Sequence, residues 1–63
     1  MQKWQYNGPV GYNNNWSGRN FKAETMAESQ GKALSNIRFR YAKEANINIR
    51  YVQLDKKYLH EVG

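Results

Sequence analysis

A chain of 63 residues without cysteine can build one small core, burying only about 60% of the surface its unfolded form exposes. Several domains, a disulfide framework and a cysteine-held metal are excluded. Ten Lys and Arg against five Asp and Glu give a formal charge of +5, a field that speeds encounter with polyanions without proving one.

Lys3 to Asn7 alternates polar and aromatic residues, with Trp4 and Tyr6 on one face, and predicts a first strand. Gly8-Pro9-Val10-Gly11 reads as its stop. The Gly-, Asn- and Ser-rich stretch up to Asn20 reads as a long loop carrying Tyr12, Trp16 and Arg19. Phe21 to Ala27 alternates again, placing Phe21, Ala23, Thr25 and Ala27 on one face and Lys22, Glu24 and Met26 on the other, as a second strand does.

Ser29 is the expected N-cap of a helix whose body, Lys32 to Ala45, lacks Gly and Pro. A start at Thr25 with Glu28 completing a capping box would place Gly31 inside the helix, at about 1 kcal/mol. Helical spacing gathers Ala33, Leu34, Ile37, Tyr41 and Ala45 into a core stripe. Lys32, Phe39 and Lys43 fall nearly opposite, with Arg40 between that side and the core edge. Asn36 to Tyr41 also alternates as a strand would, but the helical spacing accounts for a longer stretch.

Ile47, Ile49 and Tyr51 alternate with Asn48 and Arg50, and β-branched residues through Val52 and Leu54 extend this into a third strand. Asp55-Lys56-Lys57 reads as a turn, and Tyr58 to Val62 as either a fourth strand or a helical turn. The expected fold class is α+β, one domain over residues 1–63: a small antiparallel sheet of three or four strands in the order strand, long loop, strand, helix, strand. The helix packs on one face and the other face stays open.

The chemistry of catalysis is sparse. His60 is the only histidine, the carboxylates are scattered, and the three Ser lie in no nucleophile-elbow context. His60-Glu61 alone makes no metal site, and no phosphate-binding loop or dinucleotide fingerprint occurs. Gly8-Pro9-Val10-Gly11 has the GXXG form with which KH domains clamp a nucleic-acid backbone, yet it follows a strand and Pro9 lacks a donor, so it reads as a turn. The RRM signature is absent. The Asn15-Trp16-Ser17 sequon is too short a pattern to indicate glycosylation. The chain is expected to be a non-enzymatic binding domain without cofactor, metal or small-molecule substrate. The absence of cysteine fits a reducing compartment, and no apolar leader or membrane span is evident, so a cytoplasmic location is expected.

The string Phe21-x-Ala23-x-Thr25-x-Ala27-x-Ser29, continued by Lys32-Ala33-x-x-Asn36-Ile37-x-Phe39-Arg40-Tyr41-x-Lys43, resembles small proteins of phages and mobile elements of Gram-positive bacteria. The strand–helix–strand outline is also similar to the archaeal ribosomal protein LX family. Neither likeness transfers a site. The first implies an α+β fold and a phage-type role, for which binding and inhibition of a host protein is one form.

Basic residues interleaved with aromatics point to an acidic partner, nucleic acid first and an acidic protein surface second. The candidate contact residues are Trp16, Arg19, Lys32, Phe39, Arg40, Lys43 and Arg50, with Arg38 among them in sequence. Exposed aromatics can stack on bases while cations meet phosphates. In a protein-binding module, Tyr12, Trp16 and Phe39 would instead anchor the interface. Nothing in the sequence fixes an oligomeric state.

Overall fold

In the computed structural model, which describes residues 1–62 apart from the side chains of Ser17 and Arg19, the turn-rich segment expected to be a long loop is the middle of a hairpin. Strand β1 spans Gln2–Tyr12 and β2 spans Asn15–Ala27, antiparallel from Gln2 opposite Ala27 to Tyr12 opposite Asn15. Only Asn13 and Asn14 connect them, with φ of 51° and 68°. Two consecutive left-handed residues make the tight turn whose twist suits a hairpin, and Asn is among the few side chains that tolerate it.

The residues that signalled a break have separate reasons to sit in a strand. Gly8 lies under the Tyr58 side chain, where a Cβ would come within 2.4 Å of Tyr58 Cγ. Gly11 lies under Trp16 in the same way. Pro9 falls where the ladder is irregular on both sides. The β2 register shifts between Pro9 and Gly11, and on the other side residues 7–9 have no partner. A central strand accepts a residue without an N–H only at such a place.

Helix α1 spans Gln30–Ala45 and begins where expected: the Ser29 hydroxyl accepts from the Lys32 N–H at 3.3 Å. It ends at Asn46, left-handed at φ 57°. Strand β3 is short, Val52–Leu54, and β4, Leu59–Val62, continues along the same edge of β1. The third strand expected from Ile47 is therefore cut back. Ile49–Tyr51 form a 3-10 turn because the Asn48 side chain caps it, accepting from the Arg50 N–H at 3.0 Å, a local bond that competes with the ladder. A second 3-10 turn, Lys56–Tyr58, is capped by Asp55 and separates β3 from β4. The sheet order is β2-β1-β3, with β4 beside β1, and α1 covers one face.

The core has two joined parts. Tyr6, Ala23, Ala27, Ala33, Ile37 and Leu59 form one, Val10, Ala42 and Val52 the other, and Phe21 and Leu54 pack against both. Of the expected helix stripe, Ala33 and Ile37 are buried and Leu34 and Tyr41 half-buried, whereas Ala45 is exposed and Ala42 takes its place. At the helix end the Ile47 N–H returns to the Ala42 carbonyl at 3.0 Å, and Ile47 packs against the same part of the core as Ala42.

Candidate functional site

Pairing of charges decides where the positive field emerges. Lys3 meets Glu24 at 3.4 Å, Lys32 meets Glu28 at 3.2 Å, Arg40 meets Glu44 at 3.8 Å and Lys57 meets Asp55 at 3.9 Å. These exposed pairs add little stability, but they neutralise four cations locally. Among the described residues, Lys22, Arg38, Lys43, Arg50 and Lys56 have no carboxylate partner. Lys32 and Arg40, both expected contact residues, thus each have an intramolecular carboxylate partner. Arg40 also donates to the Glu24 carbonyl at 3.2 Å, tying α1 to the outer edge of β2.

Three of the five unpaired cations lie around the Ile49–Tyr51 turn. Arg38 reaches across from α1, its Nε donating to the Val52 carbonyl at 3.0 Å and its Nη2 to the Ile49 carbonyl at 3.1 Å. The planar fork of the guanidinium suits two acceptors at once. It fixes the turn and occupies the Val52 carbonyl, which a neighbouring strand could otherwise use. On one side of the turn, a groove along β3 is lined by Arg38, Arg50, Gln53, Leu34 and Ser35, with Trp16 at its wall. On the other, a recess is lined by Phe39, Lys43, Ile47 and Ile49. No Asp or Glu lines either among the described residues.

The aromatic side chains here are open. Phe39 is 61% exposed and Trp16 49%, while Tyr12 and Tyr51 meet edge to face at 5.8 Å and are both exposed. Reciprocal bonds between Asn14 and Gln53, at 2.9 and 3.0 Å, hold the hairpin tip against β3 and so keep Trp16 near Arg50.

The expected contact residues therefore divide. Trp16 joins Arg50, and Phe39 joins Lys43, the two pairs flanking one turn. Lys32 sits eleven residues before Lys43 on α1, about 16 Å away at the helical rise, and belongs to neither. The Arg19 side chain lies outside the described residues. Sequence reasoning missed Tyr51, which it placed with Ile47 and Ile49 on one face of a third strand, and Gln53. Asn48 is the signal that could have found them, since an Asn before Ile-Arg-Tyr caps a turn and ends the alternation that would bury Tyr51.

Among the described residues, no three His, Asp or Glu side chains gather to hold a metal ion, and no helix is long and apolar enough to cross a membrane. Compared with protein-family models, characterised proteins and solved structures, the chain matches none.

Proposed function

We propose that this protein is a non-enzymatic nucleic-acid-binding domain that works through the end of the molecule built around the Ile49–Tyr51 turn. One observation carries the reading: among the described residues, Arg38, Lys43 and Arg50 have no carboxylate partner and stand beside exposed Trp16, Phe39, Tyr12 and Tyr51, while Glu24, Glu28, Glu44 and Asp55 pair with other cations. Cations supply the salt-sensitive, sequence-independent part of binding, and the aromatic faces supply contacts to bases. Arg38 is half-committed to backbone carbonyls and acts mainly as a fixed local charge, leaving Arg50 and Lys43 free to meet phosphates.

The test is titration of labelled mixed-sequence oligonucleotides, read by fluorescence anisotropy at about 50 mM salt, where non-specific electrostatics is strong. The expected result is binding that weakens steeply as salt rises. No binding at that salt removes the reading and leaves an acidic protein surface as the partner, with Phe39 and Ile49 as its apolar contact.

A further inference from the structure

Trp16 lies flat on the sheet. Val10 and Val52 pack with Ala42 of α1, so strand alternation turns the next row, Gly11 with its partners Trp16 and Gln53, to the opposite face. Gly11 is buried there despite having no side chain, because the indole covers it. A Cβ on Gly11 would stand 2.9 Å from Trp16 Cδ2 and 3.0 Å from Cε2, the two atoms shared by the fused rings. The middle of the indole therefore rests over the backbone, one broad face down and the other to solvent.

Cations flank this platform. Lys22 pairs in register with Asn7 on the same face, two rows from Gly11, and has no carboxylate partner among the described residues. Arg50 and Trp16 line the groove that runs round the β3 edge from this face to Leu34 and Ser35 of α1, so Arg50 flanks the platform at that edge.

We propose that Trp16 seats a nucleobase of single-stranded nucleic acid, whose backbone crosses the open sheet face between Arg50 and Lys22. This rests on the nucleic-acid reading above and narrows it to single strands. The reason is that Trp16 offers one face. A side chain that enters a duplex must wedge between base pairs, which a ring lying on its own sheet cannot do, whereas an unpaired base needs only one exposed π-face. DNA and RNA share that base chemistry.

The experiment uses the full chain carrying Trp4→Phe, so that Trp16 is the only tryptophan and is excited at the red edge where tyrosine does not absorb, with a parallel set in which parent emission is compared with Trp16→Phe. Single-stranded DNA and RNA of about 12 nucleotides, and a hairpin duplex of equal charge, are titrated at about 50 mM salt. Saturable quenching of Trp16 by either single strand, absent with the duplex, is the expected result. Trp16→Ala then weakens single-strand binding roughly 5- to 150-fold, as removal of one stacked base implies, and leaves duplex binding within about twofold. Circular dichroism verifies that each variant is folded. Binding without quenching, or with Trp16→Ala unchanged, overturns the single-strand inference and leaves the nucleic-acid reading standing. Failure of every oligonucleotide to bind overturns both.

Discussion

Among the described residues, Tyr6 is the one large side chain with a polar group buried in the core, at 0% exposure, and its hydroxyl joins two parts of the chain. It donates to the Pro9 carbonyl at 2.6 Å and accepts from the Asp55 N–H at 3.2 Å, closing the gap between β3 and β4. Burial pushes its pKa above the usual 10. Tyr6→Phe keeps the ring but removes both of these bonds, so a loss of about 1 to 3 kcal/mol is expected in denaturant unfolding. The sign of the pH effect follows from the raised value. Below pH 10 both states hold the proton; above it the unfolded chain ionises first, so stability falls as pH rises through the folded value. Tyr6→Phe should flatten that alkaline decline, and an equally steep decline would show that other groups cause it. Gly8 offers a second test. The near end of the Tyr58 ring, not its flexible tip, occupies the space of a Cβ at Gly8, while nothing lies within 4 Å of one at Gly18. Gly8→Ala should therefore lower Tm clearly and Gly18→Ala hardly at all.

The elements differ in how far the sequence discloses them. The helix was legible because its signals are local: Ser29 before the first turn, uninterrupted helix formers, and Ile37 and Ala33 one turn apart. The second strand was legible from alternation in Phe21 to Ala27. The hairpin was not, since Gly8, Pro9 and Gly11 are turn formers by composition and only their distant neighbours, Tyr58 and Trp16, make them strand residues. The same holds for the 3-10 turn at Ile49–Tyr51, where Asn48 overrode β-propensity. The helix assignment yields two measurable consequences. Ile37, fully buried, should cost about 2 to 5 kcal/mol on change to Ala, and half-buried Leu34 less. Ser29→Ala should cost about 0.5 to 2 kcal/mol by loss of the cap, more than Thr25→Ala, whose hydroxyl accepts only from exposed Asn36. A larger loss at Thr25 would mean that this strand-to-helix bond, not the cap, holds the helix start.

For the whole molecule, the sequence disclosed the charge and the aromatic content but not their sorting. Lys32, Phe39, Arg40 and Lys43 form one cluster by helical spacing, yet Glu28 and Glu44 remove two of them as free charges, and Phe39 with Lys43 gains Ile49 from a distant turn. Trp16 and Arg50 line one groove because the hairpin is long and its tip is held to Gln53. The consequence is specific: replacing Arg40 should disturb the packing of α1 on β2 more than ligand binding, while Phe39→Ala should weaken oligonucleotide binding with little change in Tm.

The central claim, that cations beside the Ile49–Tyr51 turn meet phosphates, is tested most directly by the salt dependence of oligonucleotide affinity in the Arg50→Gln, Lys43→Gln double variant. The parent should lose affinity linearly in log–log form, and the folded double variant should bind all sequences more weakly, its slope flatter by roughly 0.7 to 0.9 for each phosphate left without its cation. A slope and affinity equal to the parent's would contradict the claim.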